Sequence, residues 1–169
     1  NNIMKKFVID VNNKSANHIL VIGGAGYIGS ILTDMLLDLG WNVRVLDNLL
    51  YNQDSLSKFA DNERFSFIQG DVCDINVQVE SINDIDCVVF LAEIVGDPAC
   101  QYVPQTALKT NYLAVNSFAA LCAHTNINRF VYMSSCSVYG ASTDPEALLN
   151  EQSELNPVSI YARMKINSE

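Results

Sequence analysis

The residues Ile19-Leu20-Val21-Ile22-Gly23-Gly24-Ala25-Gly26-Tyr27-Ile28-Gly29 decide how the rest of the chain reads. Four apolar residues without polar alternation are too few for a helix and read as a strand buried on both faces; the glycines then turn the chain into a helix. That helix is legible from Ile28, Ile31, Leu32, Met35, Leu36 and Leu39 at three- and four-residue spacing, with Gly40 placed for a left-handed C-terminal cap. Two glycine spacings fit the loop: Gly24, Gly26, Gly29 as G-x-G-x-x-G, and Gly23, Gly26, Gly29 as G-x-x-G-x-x-G. Glycines here allow a tight turn, an open path for a pyrophosphate along the backbone, and close packing of helix on strand. The unpaired N–H groups and positive dipole end of the helix form an anion site without a basic side chain, and none stands between Ile19 and Gly40.

The next apolar run, Val43-Arg44-Val45-Leu46, ends in Asp47, about twenty residues beyond the glycines, where a dinucleotide site wants an acid. A carboxylate there accepts from both ribose hydroxyls of adenosine and repels a 2′-phosphate. The expected cofactor is therefore NAD rather than NADP, with Arg44, the nearby base, on the wrong side of its strand. The structural alternative for Asp47 is a solvated acid at a strand end.

A chain of 169 residues, 49% hydrophobic and 17% charged, is long enough for one domain with a layered core. Its net charge of −9 argues against nucleic acid or an anionic membrane surface as a partner, since both demand clustered Lys and Arg. Cys73, Cys87, Cys100, Cys122 and Cys136 are odd in number, scattered and without a C-x-x-C pair, and only two histidines accompany them. Reduced thiols in the cytoplasm are expected, not a disulfide frame or a metal site. No apolar run approaches the length of a membrane span, and a signal peptide is not expected. Residues 1–17, rich in Asn, read as an arm with a short strand over Ile3 to Val11; residues 18–169 read as one domain.

Beyond Asp47, residues 48–62 read as a surface crossover with a short helix near Ser55 to Phe59. Phe65 to Ile68 is a third strand running into Gly70-Asp71-Val72, where Asp71 either meets an adenine amino group or caps a helix. Asp86 to Ala92 is a fourth strand that delivers Glu93 to Pro98 at the same edge. This rhythm predicts an α/β fold, a Rossmann-type doubly wound parallel sheet with helices on both faces. Pro104 to His124 is the longest helical pattern, with Leu108, Val115, Phe118 and Cys122 as its apolar stripe and Asn111 falling on that stripe. A buried amide needs partners, so Asn111 either holds a water or a neighbouring strand near the site or is satisfied by nearby backbone. Arg129 to Met133 is a fifth strand emptying into Ser134-Ser135-Cys136-Ser137-Val138-Tyr139-Gly140. Asn156-Pro157 predicts a helix start, and Tyr161 and Lys165, four apart, share a face of that helix.

Together these residues resemble the extended short-chain dehydrogenase/reductase family, the NAD-dependent nucleotide-sugar epimerases and dehydratases, from Ile19 to the end of the chain. Gly23 to Gly29 is similar to that family's cofactor loop, Asp47 to its ribose ligand and Gly70-Asp71-Val72 to its adenine-side turn. Ser135, four before Tyr139, is similar to its catalytic Ser/Thr, and Tyr161 with Lys165 to its Tyr-x-x-x-Lys pair. The resemblance implies NAD held by Gly23, Gly26, Tyr27, Ile28 and Gly29, by Asp47 and Asn48, by Asp71 and Val72, by Leu91, Ala92 and Asn111, and by Tyr161 and Lys165. It implies hydride transfer between a sugar carbon and the nicotinamide, with Ser135 holding the reacting oxygen and Tyr161 taking its proton. Lys165, together with the nicotinamide charge, is expected to lower the Tyr161 pKa. It also implies a nucleotide-sugar substrate and a homodimer paired through the Pro104 to His124 and Tyr161 helices.

The sequence departs from the family at three points. Cys136-Ser137 stands where dehydratases carry Asp-Glu, and Ser137 where some epimerases carry Cys, which weighs against both of those routes. Glu93 replaces a small residue after Leu91-Ala92, so its carboxylate either points to solvent or obstructs NAD. Finally, the family continues into a smaller substrate-binding domain beyond this helix. The 169-residue piece alone is thus expected to have a frayed last helix and weak or no turnover. The competing expectation is a non-catalytic NAD-binding or interaction module.

Overall fold

The computed structural model describes residues 18–141 and 148–169. The expected arm over residues 1–17, with its strand, lies outside the described residues. Five parallel strands form one sheet: β1 (His18–Ile22), β2 (Asn42–Asp47), β3 (Phe65–Gln69), β4 (Cys87–Phe90) and β5 (Arg129–Tyr132), in the order β3-β2-β1-β4-β5. Ile19 lies opposite Val43 on one side and Cys87 on the other, so β1 is the central rung of the ladder. Leu20, Val21 and Ile22 are fully buried. That is why β1 and β2 are rich in branched apolar side chains: in a parallel sheet covered on both faces neither side of the strand meets water.

The α-helices among the described residues are α1 (Tyr27–Asp38), α2 (Ile75–Ser81), α3 (Asp97–Tyr102), α4 (Pro104–Leu108), α5 (Val115–Ala123) and α6 (Ile160–Ser168). On one face of the sheet Leu20, Ile22, Val88 and Phe90 pack with Val115, Phe118 and Cys122 of α5. On the other, Val21, Val43 and Val45 pack with Leu37 of α1, and with Leu56 and Phe59 at a short 3-10 turn over Ser57–Phe59. A third cluster joins Ile94, Cys100 and Ala107 to Tyr161 and Met164, which seats α6 beside the loop after β4.

Helix α1 buries a different face from the expected one. Gly29, Thr33 and Leu37 face the sheet, Leu32 and Leu36 are half-buried against the core, and Ile28, Ile31, Met35 and Leu39 are exposed. The close approach of Gly29 to the loop fixes which side faces inward, overriding the broader apolar stripe. Its C-terminus is as expected: Gly40, at φ +85°, lets its own N–H reach the Leu37 carbonyl and that of Trp41 reach Leu36.

The expected helix from Pro104 to His124 is interrupted. Between α4 and α5, Lys109–Ala114 form a π-helical turn. One extra residue in a turn rotates everything before it relative to everything after. Ala107, not Leu108, is therefore in register with buried Val115, Phe118 and Cys122, and Leu108 is exposed. The last helix also begins later than the Asn156-Pro157 pair predicts. The Asn156 N–H donates to the Val138 carbonyl, which keeps this segment in a loop, and Ser159 caps α6 by accepting from Ala162 N–H at 3.1 Å. At the end of α6, Ser168 Oγ donates to the Asn111 carbonyl and the Glu169 N–H to the Lys165 carbonyl. Among the described residues no helix is long and apolar enough to cross a membrane.

Candidate active site

The strand order reverses direction between β1 and β4, so the loops leaving them diverge to opposite faces and open a crevice at the carboxyl edge of the sheet. Gly23 begins one wall at φ +81°, its N–H donating to the Leu46 carbonyl. A Cβ on Gly23 would stand 2.6 Å from the Ala92 nitrogen, and one on Gly29 would stand 2.4 Å from the Gly23 carbonyl. Both contacts are with backbone, which cannot rotate away. Gly24 instead faces the Val45 side chain. Of the two possible spacings, the one with Gly23, Gly26 and Gly29 is the one whose outer glycines are enforced by backbone. Gly26 is the N-cap residue of α1, and Tyr27 and Ile28 form its first turn with side chains largely in solvent, so what they present to the crevice is backbone N–H.

The crevice holds a cleft of about 270 Å³ lined by Gly23 and Gly26, by Asp47 and Asn48, by Asp71 and Val72, and by Leu91, Ala92 and Glu93. Asp47 is nearly buried at the end of β2. Its Oδ2 accepts from Ala25 N–H at 3.0 Å and its Oδ1 from Leu49 N–H at 2.8 Å, so it braces the glycine loop, and each oxygen keeps a second lone pair. Arg44 points elsewhere, its guanidinium donating to the carbonyls of Ser81 and Asn83. Asn48 closes a turn by accepting from Leu50 N–H. Asp71 is not a helix cap: it accepts from Cys73 N–H in a tight turn, and Asp74 caps α2.

Asn111 is fully buried and supports the cleft from behind rather than opening onto it. Its Oδ1 accepts from Ile94 N–H at 2.9 Å and its Nδ2 donates to the Ile94 carbonyl at 2.8 Å, clamping the loop after β4. This is the backbone-satisfied alternative, with the partner next to the site. The π-helical turn is what aims Asn111 inward. Replacing Asn111 by leucine strips the buried Ile94 N–H of its acceptor. The expected cost is about 3 kcal/mol, or a melting temperature lower by about 10 °C, read by thermal denaturation.

Among the cleft residues that the sequence did not single out are Gln53 and Thr110, and the Gln53 Oε1 is buried without a hydrogen-bond partner. No spacing rule marks a polar residue in a crossover loop as functional; only its burial does.

Ser135, Tyr161 and Lys165 come together below the end of β5. Ser135 caps a 3-10 turn over Cys136–Tyr139, its Oγ accepting from Ser137 N–H and donating to Ser137 Oγ at 3.1 Å. Tyr161 and Lys165 occupy the buried face of α6. The unexpected member is Glu93. Its Oε2 lies 2.7 Å from the Lys165 ammonium, with the lysine side chain 2% and the glutamate side chain 11% exposed, and it accepts from the Tyr161 hydroxyl at 3.4 Å. Of the two sequence alternatives for Glu93, the solvent one does not hold, and the side chain lines the cleft. Lys165 also donates to the Met133 carbonyl and stands 4.7 Å from the centre of the Tyr132 ring.

This changes the electrostatics expected of the pair. Burial and the adjacent Glu93 carboxylate push the Tyr161 phenol up to about 12, while a hydrogen bond with Ser135 works the other way. In the free chain the Lys165 ammonium is paired with Glu93. Glu93 is itself held above the ordinary carboxylate range by burial, with Lys165 opposing.

Residues 19–169 match the NAD dependent epimerase/dehydratase family. The chain belongs to that family. It is 31% identical over 156 residues to the dTDP-glucose 4,6-dehydratase of Streptomyces niveus, covering 87% of this chain and 46% of that protein. It is 32% identical over 167 residues to the UDP-glucose 4-epimerase of Drosophila melanogaster, covering 89% and 46%. The UDP-glucuronic acid 4-epimerase of Bacillus cereus, solved with UDP-glucuronic acid and NAD, superposes with a TM-score of 0.81 at 27% identity, covering 89% of this chain and 49% of that one. The chain thus spans about half the length of these epimerase/dehydratase relatives. The match takes in the glycine loop, Asp47, Ser135, Tyr161 and Lys165 in one continuous segment.

Proposed function

We propose that this chain is the NAD-binding part of a nucleotide-sugar epimerase or a related oxidoreductase of its family. The observation that carries the proposal is convergence: the glycine loop and Asp47 line one carboxyl-edge crevice, and Glu93, which lines it too, touches the Lys165 and Tyr161 side chains grouped with Ser135. The crevice suits a dinucleotide on features of its own. The glycines let loop, strand and helix approach where any Cβ would intrude, α1 starts there with free N–H groups, and the orphaned Gln53 oxygen awaits a donor. The free lone pairs of Asp47, and Arg44 turned away, support NAD over NADP.

When bound, NAD supplies a hydride acceptor for a sugar carbon. Ser135 holds the sugar oxygen beside Tyr161, whose tyrosinate form takes the proton that the alcohol loses and, as the phenol, returns it on reduction of the carbonyl. Tyr161 and Lys165 would hold the nicotinamide ribose. Dehydration asks for a further acid/base pair, and Cys136-Ser137 does not supply one. All five cysteines are free thiols, which supports a cytoplasmic setting, and we assign the surfaces of the Pro104 to His124 segment and α6 to a homodimer.

The Glu93 to Lys165 ion pair favours a second reading, an NAD-binding module without turnover. Calorimetry with NAD followed by UDP- and dTDP-sugars separates the two. An oxidoreductase shows a sugar-dependent rise in bound-NADH absorbance, a module binds NAD and shows none, and absence of NAD binding rejects both.

A further inference from the structure

Glu93 is the charged group the proposed chemistry does not use, and it sits on the group that chemistry needs. Its backbone is not free to withdraw. The next residue, Ile94, is clamped through both N–H and carbonyl by Asn111, and Gly96 at φ +88° turns the chain into α3. The Glu93 side chain is therefore delivered to Lys165 by the fold. Lys165 has three N–H donors. One goes to the Met133 carbonyl, one to Glu93 Oε2, and the ammonium lies against the Tyr132 and Tyr161 rings at 4.7 and 5.6 Å. At 2% exposure it has no direction left in which to meet a ligand. Glu93, by contrast, lines the cleft, and its Oε1 is buried there without a partner. A buried carboxylate satisfied on one oxygen alone is a pair that holds but can be displaced.

We propose that Glu93 is a positioning residue that occupies Lys165 in place of a ribose hydroxyl, so that cofactor binding is a competition between Glu93 and the nicotinamide ribose for one ammonium. The proposal rests on the reading of this crevice as an NAD site. To bind, the carboxylate must rotate off Lys165 into the cleft or take up a proton. The apparent affinity is then the intrinsic one multiplied by the fraction of molecules in which Lys165 is free. The groups facing Glu93 are Lys165 and Tyr161 from α6, Tyr132 from β5, and Cys100 from α3, on which Asp97 also acts. Of these, Tyr132, Tyr161 and Cys100 are all pushed up by burial and so stay protonated through neutral pH. Glu93, raised from its ordinary 4.5, is the group that changes charge on mild acidification. Protonation releases the ammonium, so NAD binds more tightly as pH falls toward the carboxylate range.

The test is calorimetry of NAD on the full chain and on Glu93→Gln, which keeps the size and an acceptor oxygen but not the charge. If Lys165 is engaged in nine molecules of ten, Glu93→Gln tightens NAD about tenfold at about pH 8. The gain disappears in Glu93→Gln combined with Lys165→Met, and wild-type affinity rises as pH is lowered from about 8 toward the carboxylate range while that of Glu93→Gln is flat. Equal affinity in the two proteins overturns the competition and leaves the NAD site standing. Weaker binding by Glu93→Gln also overturns it, and identifies Glu93 as a direct acceptor for the ligand. NAD binding by neither protein rejects the competition together with the cofactor reading. Should Glu93→Gln fail to fold, the wild-type pH dependence decides alone: a flat profile overturns the proposal.

Discussion

Replacing Tyr161 by phenylalanine is expected to lower hydride transfer in the full-length protein about a thousandfold while changing NAD affinity less than about threefold. The separation follows from what the hydroxyl does and does not hold up. The ring packs with Ile94, Cys100, Ala107 and Met164, and phenylalanine keeps all of that. The hydroxyl gives Glu93 only a 3.4 Å contact, so its loss costs little stability. Of the other two members of the group, a serine hydroxyl such as Ser135 is no base at neutral pH and Lys165 is an ammonium with no lone pair, so the proton of a sugar alcohol goes to Tyr161.

The pH profile gives the same residue a second signature. In the free chain the phenol is pushed up to about 12, in part by the Glu93 carboxylate, so the tyrosinate is a minor form at neutral pH. Alcohol oxidation should therefore accelerate as pH rises through the neutral and mildly alkaline range, and the slope should vanish in Tyr161→Phe. Reduction of the keto sugar, which uses the protonated phenol, should lack that slope. Stopped-flow absorbance of bound NADH reads both directions. Turnover by Tyr161→Phe within threefold of wild type would remove this residue from the chemistry.

Much of this arrangement was legible because each part is local. A parallel strand buried on both faces must be a continuous apolar run, so Ile19 to Ile22 and Cys87 to Phe90 announce themselves, and the order of strands, glycines and Asp47 follows the order of the chain. Tyr161 and Lys165 share a face because four residues is about one turn. What was not legible depends on parts distant in sequence. The inward face of α1 is set by Gly29 touching the Gly23 carbonyl. Gly29, Thr33 and Leu37 are spaced by four, so the glycine was a pointer, but it was masked by a helix apolar on nearly every side. The π-helical turn that swings Asn111 inward has no compositional mark. The Glu93 to Lys165 pair joins a loop after β4 to α6, and no spacing connects them; the sequence could show that Glu93 was unusual, but not what it touches.

Gly29→Ala is the second large effect, and here the loss should fall on binding. A Cβ at this position would meet the Gly23 carbonyl at 2.4 Å and the Gly24 Cα at 2.6 Å, against an ordinary contact of 3.4 Å or more. Relief requires the start of α1 to move about 1 Å away from the loop, since both contacts are backbone. That shift displaces the N–H groups and dipole end from the path a pyrophosphate takes, and a misplacement of this size is enough for a loss of about a hundredfold. NAD affinity, measured by calorimetry, is expected to fall by about that factor, with stability lower by about 2 kcal/mol. The other end of the same helix supplies the control. Gly40→Ala meets nothing within 4 Å and suffers only from the positive φ of +85°, worth about 1 kcal/mol, so it should cost comparable stability and leave NAD affinity unchanged. If both alanines weaken NAD equally, the effect is general destabilisation and the phosphate path does not run between Gly23 and Gly29. If only Gly29→Ala does, the grip belongs to that approach of helix and loop.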